Sequence, residues 1–401
     1  MCSIESGTVE ATRPASSSDY RRRPFGAGIG DWLAFILEAV RHDPSTAPAI
    51  IVRALNARLR IRIRPANAVQ SGLCSRPTSQ VVDSVRYWGQ LHSALQRLNW
   101  DLDGGRLVED KLVTSDRYAE HGVAAAPIVA VVGRDESRHP HAGRHTVVHD
   151  SATLARVLDS APPELIAKPA GGSRGGKVRL LQRHGSTWMV DGVTLSTSQL
   201  SDRLLADADP MGTLIQPRLR SHPDLTPLGG QLGLCGLRIT TAMLKGGPIL
   251  LFHFLKLMGR PGIVDNFGGG RNGNILASID ERTGEILKAY GRSQGQRFLL
   301  TEYSHHPVTG AQITGTRLPL WFEALDLALR AAAVCPECPL AGADIALTEQ
   351  GPMLLEINAA WDGDYAELTR GVGLKRMLRP IWPELAASEQ AKQDAAELLK
   401  L

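Results

Sequence analysis

Residues 342–365 read GADIALTEQGPMLLEINAAWDGDY, and the fold turns on this stretch. It predicts two short strands joined at a Gln350-Gly351 turn, with Asp344 on the first and Glu356 and Asn358 on the second. Ile345, Ala346, Leu347, Met353, Leu354, Leu355 and Ile357 make both strands otherwise apolar. Side chains two apart on a strand share a face, so Glu356 and Asn358 point the same way, and Asp344 can sit opposite them. A carboxylate buried without a partner costs on the order of several kcal/mol, so these groups need cations. One reading is ion pairing with nearby arginines. The other is a magnesium ion, which takes one or two carboxylates and completes its shell with substrate phosphates.

The rest of the chain favours the second reading. Residues 168–178, KPAGGSRGGKV, place four glycines, a serine and two lysines in a loop between two strands. Glycine lets backbone N–H groups approach an anion, and the lysines add charge, as a phosphate cradle requires. The Walker order GxxxxGK[ST] followed by a helix is absent. Three oxygen donors on one face, downstream of such a loop, outweigh the ion-pair reading.

Bulk properties narrow the classes. The chain has 401 residues, 43% of them hydrophobic, enough for two or three domains or subdomains. A net charge of +4 is mildly basic, so no nucleic-acid partner is expected. The first residues carry no apolar segment of the secretory kind, and the longest apolar run, PILLFHFLKLMG, is broken by His253 and Lys256. A span needs roughly 20 apolar residues. A soluble cytoplasmic protein is expected. Five scattered cysteines do not suggest a disulfide framework, and the lone Cys335-x-x-Cys338 reads as a proline-rich turn after a helix rather than a zinc site.

Along the chain, residues 1–27 read as a disordered tail containing Arg21, Arg22 and Arg23, and 28–105 as a mainly helical region. There, DWLAFILEAVRH predicts an amphipathic helix capped by Asp31, and SQVVDSVRYWGQLHSALQRLNW a long helix. A helix ending at His121-Gly122 and a strand over Ile128–Val132 open a β-rich segment, 106–213, that contains the glycine loop. Residues 214–376 predict hairpins turning at Lys245–Pro248 and Glu281–Gly284, a helix over PLWFEALDLALRAAAVCP, and the opening hairpin. Residues 377–401 end in a charged helix expected to pack loosely. The class is α+β, without the regular alternation of a doubly wound sheet.

Seven motifs in order, DKLVTSDRYAEHGVAAAP, IAKPAGGSRGGKV, LIQPRLRSHPDL, GLRITTAML, VDNFGGGRNG, SHHPVTG and GADIALTEQGPMLLEIN, resemble the ATP-grasp superfamily, in particular its sugar-transfer-associated branch, from about Asp110 to about Leu374. The resemblance implies two α+β subdomains sandwiching ATP, with a mainly helical N-terminal extension. It implies that Lys111 and Lys168 contact phosphate and that Gly172, Ser173, Gly175 and Gly176 form the loop over ATP. Gln216, Pro217, Arg218 and Leu219 would be the adenine hinge, with His222 in a branch motif. Asp344, Glu356 and Asn358 match the magnesium ligands, and Arg238 and Arg271 would act with Lys168 in catalysis. Asp265, Asn266, Arg271, His305, His306 and Asp362 would shape the acceptor side, with Asp364 nearby. The hinge departs from the family by lacking an acidic residue for the ribose.

The implied activity is that of an ADP-forming carboxylate–amine ligase using ATP and Mg²⁺ on small-molecule acids and amines, in glycoconjugate or secondary-metabolite biosynthesis. A phosphotransferase using His305 or His306, and a nucleotide-binding module without catalysis, are the alternatives. The first hundred or so residues match nothing; a helical cap, an acceptor-recognition element or a homodimer interface are the options.

Overall fold

The computed structural model describes residues 29–85, 88–139, 143–145, 147–172 and 177–401. The expected tail, 1–27, and the loop residues Ser173, Gly175 and Gly176 lie outside the described residues.

Two seven-stranded sheets carry the fold. The first contains β1 (Ala130–Val132), β2 (Val147–Val148), β3 (Glu164–Pro169), β4 (Arg179–His184), β5 (Thr187–Val190), β6 (Val193–Ser196) and β7 (Thr213–Pro217), in the order β2-β1-β7-β3-β4-β5-β6. Among the described residues of this sheet, only the β1–β2 pair is parallel. Leu165, Leu181, Trp188 and Ile215 of this sheet share a core with Leu154 and Leu158 of one helix, Ser151–Ser160, and Leu200 and Leu204 of another, Thr197–Ala206. Asp150 caps the first helix, and Ser196 with Gln199 forms a capping box on the second.

The second sheet contains β8 (Gly236–Leu244), β9 (Gly247–Leu257), β10 (Ile275–Ile279), β11 (Ile286–Gly291), β12 (Thr301–Glu302), β13 (Leu340–Thr348) and β14 (Gly351–Asn358), in the order β12-β11-β10-β9-β8-β13-β14. All its pairs are antiparallel. The hairpins and the helix Trp321–Val334 stand where the sequence places them. That helix buries Trp321, Ala324, Leu327 and Ala331 with Leu237, Leu255 and Leu347 of the sheet. A second core joins Leu91, Leu95 and Leu98 to Phe252, Phe254 and Trp361. The mixed α+β class is as expected.

Several local expectations need correction. The helix Ile29–His42 begins before Asp31, which therefore sits in the first turn and pairs with Arg297 at 2.8 Å instead of capping. The long helix expected over 79–100 is broken: a 3-10 turn spans Thr78–Asp83, Ser84 is extended, and the α-helix is Trp88–Asn99. The buried Glu367 carboxylate accepts the Val85 N–H at 3.0 Å, so tertiary contact overrides the helical pattern. The C-terminal helix Glu389–Leu399 packs firmly, not loosely. Ala391, Ala395 and Leu399 are buried in one core with Leu91 and Leu95, and Ser388 caps it. The expected boundaries at 105/106, 213/214 and 376/377 fall inside elements, and β7 belongs to the first sheet. Cys335 ends its helix and Cys338 N–H bonds back to its carbonyl at 3.0 Å, the expected turn.

Candidate functional site

The opening hairpin is β13–β14. Asp344 lies directly across from both Glu356 on β14 and Arg238 on β8, and Gly342 lies across from Asn358. Every residue of β13 is buried, whereas β14, at the sheet edge, is half-buried. The three oxygen-bearing side chains share one face, as the spacing requires.

Their partners differ sharply. Arg238 donates to both Asp344 oxygens, Nε to Oδ1 and Nη2 to Oδ2, each at 2.8 Å. Lys256 Nζ donates to Asp344 Oδ1 at 3.1 Å and to Asp265 Oδ1 at 3.0 Å. Asn358 Nδ2 lies 3.3 Å from Asp344 Oδ2 and from the Gly342 carbonyl. Burial pushes the Asp344 carboxyl up, but the charges of Arg238 and Lys256 outweigh it and hold it well below the ordinary carboxylate range. Burial likewise opposes the charge of Lys256, and Asp265 and Asp344 overcome it, so the amine is held above its usual range. Asp344 is thus ion-paired with both cations in this structure.

Glu356, on the same face, meets a different cation. Its Oε2 is 3.5 Å from Lys111 Nζ, and its side chain keeps 24% exposure. Lys111 is the first residue of the helix Lys111–Glu120, which Asp110 caps by accepting the N–H groups of Leu112 and Val113. Arg134 in turn holds Asp110 at 2.6 Å. Lys111 Nζ also donates to the Gly172 carbonyl at 2.7 Å, where the glycine loop begins with φ +85°. Lys168, at the end of β3, donates to the Leu355 carbonyl at 3.3 Å. Burial and the nearby Lys111 lower the Lys168 amine, and Glu356 only partly offsets this. Lys111, Lys168, Gln216 and Glu356 line one cleft between the sheets, walled by Ala125, Ile128, Leu214 and Leu354.

The segment before β1 closes that cleft. Ala126 N–H donates to the Leu354 carbonyl and Leu354 N–H to that of Ala124, both at 2.9 Å. Gln216 Nε2 donates to Ala126 O at 3.0 Å. The chain then crosses between sheets: Pro217 ends β7, Arg218 pairs with Glu164 at 3.0 Å, Leu219 is half-buried, and His222 N–H donates to Leu347 O at 2.7 Å. His222 Nδ1 accepts the Asp224 N–H.

Asp265 is brought to the cluster through Lys256, and burial keeps its carboxyl above the ordinary range. The loop behind it holds Gly268, Gly269 and Gly270 at φ +55°, +66° and +76°. A Cβ on Gly269 would lie 2.0 Å from Gln70 Nε2. Asn266 contributes its carbonyl, which Asn274 Nδ2 meets at 3.0 Å. Arg271 acts electrostatically on Tyr365 and Arg292, and Asp362 on Arg238 and Asp364. Burial, with Asp362 and Glu367 nearby, pushes the Asp364 carboxyl up to about 8.

The two histidines are not brought in. His306 is 1% exposed; Nε2 donates to Met258 O at 3.0 Å, and Nδ1 accepts the N–H groups of Val308 and Thr309. It caps a turn. His305 is exposed and bonds Ser304. Sequence reasoning missed Lys256, Glu164 and the Asp110–Arg134 pair. A lone lysine inside FHFLKLMG is the signal for the first: so apolar a strand carries a charge only where a partner meets it.

The donor set suits one magnesium ion at Glu356 and Asn358. The Glu356 ion pair is long, and Asn358 Oδ1 makes no hydrogen bond among the described residues. Both Asp344 oxygens are already engaged by cations.

No curated protein sequence matches the chain. Solved structures do. A biotin carboxylase from Campylobacter jejuni is 11% identical with a TM-score of 0.37, over 72% of this chain and 48% of its own. The VanG D-Ala:D-Ser ligase from Enterococcus faecalis is 8% identical, TM-score 0.38, over 69% and 62%. A D-alanine–D-alanine ligase from Bacillus anthracis complexed with ATP is 10% identical, TM-score 0.36, over 73% and 69%. The chain spans about half the length of the first of these. The model of the sugar-transfer associated ATP-grasp family matches residues 93–382, well over half of the chain and wider than the seven motifs. With its two α+β sheet units and helical N-terminal region, the chain belongs to the sugar-transfer associated ATP-grasp family.

Proposed function

We propose that this protein is an ATP-dependent carboxylate–amine ligase that forms an amide or peptide bond through an acyl phosphate, in glycoconjugate or secondary-metabolite biosynthesis. The observation that carries this reading is the convergence of Lys111, Lys168, Arg238 and Lys256 on the Glu356–Asp344 face, at a cleft between two sheets. Phosphoryl transfer depends mainly on positioning and charge neutralisation. A carboxylate oxygen of the acid attacks the γ-phosphorus and ADP leaves. The amine nitrogen then attacks the acyl carbon, phosphate leaves, and the nitrogen gives up a proton.

Lys111, from the start of its helix, and Lys168, from β3, would meet the phosphates. Gln216, Pro217, Arg218 and Leu219 receive adenine, with Ala125, Ile128, Leu214 and Leu354 excluding water. Arg238 faces the acyl phosphate, oriented by Asp344. Glu356 and Asn358, with Asp344 between them and the cations, would hold Mg²⁺. When bound, the metal neutralises charge on the transferring group. Asp265, Asn266, Arg271 and Asp362 face the acid and the amine. The phosphotransferase alternative loses His306, whose ring nitrogens are both engaged.

The test is product analysis with ATP, Mg²⁺ and a pool of amino acids and amino sugars, read by phosphorus NMR and mass spectrometry. ADP, phosphate and a mass equal to acid plus amine minus water support the ligase. ADP with a phosphorylated acceptor overturns it.

A further inference from the structure

The N-terminal helices carry a surface that the cleft chemistry does not use. On Ile29–His42, the side chains of Ile29, Leu33, Leu37 and Val40 are exposed by 81, 56, 54 and 44%. Their spacing, i, i+4, i+8 and i+11, makes a stripe on one side of the helix. On the next helix, Ala47–Ile61, Val52, Leu55 and Leu59 are exposed by 60, 42 and 81%, again one stripe. The opposite sides bury Phe35 and Ala39, and Ala54 and Ala57. A helix apolar on both its inner and outer sides is usually covered by something.

The charges say what covers it. The acidic residues of the first helix are turned inward. Glu38 accepts the N–H groups of Arg297, Phe298 and Leu299, and Asp31 pairs with Arg297. Asp43, in the connecting loop, is committed to Ser45 and Thr46. From residue 44 to 82 there is no Asp or Glu, while Arg53, Arg58, Arg60, Arg62 and Arg64 are present and Arg76 is buried against Glu367. Arg53 and Arg60, seven apart, run along one flank of the second stripe. Their described hydrogen bonds go to neutral oxygens, the Cys74 carbonyl and the Asn56 side chain. The outer side is therefore apolar along its centre and cationic along its edge.

We propose that these two helices dock the enzyme on a membrane surface bearing anionic headgroups, with the Leu33–Leu37 and Val52–Leu59 stripes at the acyl boundary and the arginines at the phosphates. A basic amphipathic helix lying in the interface combines these two attractions. No described helix is long and apolar enough to cross a membrane, so the docking is peripheral.

The test uses the full chain and vesicles of phosphatidylcholine with or without phosphatidylglycerol, with light scattering after size exclusion in parallel. Cosedimentation with the anionic vesicles only, weakened by salt, is expected. Val52→Asp with Leu59→Asp, and separately Arg60→Gln with Arg62→Asn, should each lower binding on the order of tenfold or more. All four positions are exposed, so the thermal midpoint should hold and report intact folding. Absence of binding to anionic vesicles at low salt overturns the proposal, as does binding that neither pair of substitutions changes. A dimer that Val52→Asp with Leu59→Asp turns into a monomer overturns it in favour of a second copy.

Discussion

The guanidinium of Arg238 and the carboxylate of Asp344 face each other on adjacent strands in direct register, joined by two hydrogen bonds of 2.8 Å. Their side chains are 14% and 9% exposed. Lys256 reaches the same carboxylate. Asp344 thus anchors two cations, while Glu356, on the neighbouring strand, looks into the cleft.

That division predicts opposite outcomes for two substitutions of similar shape. Asp344→Asn leaves Arg238 buried without its paired carboxylate and Lys256 with Asp265 alone, and should cost about 3–5 kcal/mol in urea unfolding. Glu356→Gln removes a part-exposed charge with a long ion pair, and should shift stability by less than about 1 kcal/mol. It should nonetheless abolish ATP turnover. Retained turnover in Glu356→Gln would remove the proposed metal site.

Asp364 gives a pH prediction. Its carboxyl keeps its proton to about 8 in the folded chain, against an ordinary value of 3.8. The folded state then binds more protons than the unfolded one between those values, so stability falls as pH rises through the window. Asp364→Asn removes that penalty. Its thermal midpoint should exceed the parent's near pH 8 by on the order of 3 °C, and match it near pH 4.

Glu367 clasps the N-terminal region to the second sheet unit. It accepts the Val85 and Leu374 N–H groups and pairs with Arg76 at 3.1 Å, with both side chains nearly fully buried. Glu367→Ala strands a buried guanidinium and two donors. A loss of about 3–5 kcal/mol is expected, read by denaturant titration; a change within about 0.5 kcal/mol, the range of surface substitutions, would contradict the clasp.

His306→Ala should cost about 1–3 kcal/mol, because the Met258 carbonyl and two turn N–H groups lose their partner. ATP affinity, measured by calorimetry, should stay unchanged. A large loss of affinity would return this residue to the binding site.

Much of this was legible in the order of residues. Strand alternation and turn chemistry placed the 236–257, 275–291 and 340–358 hairpins, since periodicity two and a Gly-containing turn are local properties. The same alternation put Glu356 and Asn358 on one face. The seven ordered motifs pointed to the family that the residue 93–382 match bears out.

What tertiary structure decided was which charge meets which. Asp344 has the same local signature as Glu356, yet its partners Arg238 and Lys256 lie 106 and 88 residues away in sequence. His305 and His306 sit side by side, and only the buried Met258 carbonyl makes the second a turn cap. The helix expected across 84–85 fails because a carboxylate nearly three hundred residues downstream takes the Val85 N–H. Local sequence sets backbone preference through sterics and periodicity. It carries no record of long-range ion pairing, because that energy depends on burial and distance, which exist only once the sheets have closed.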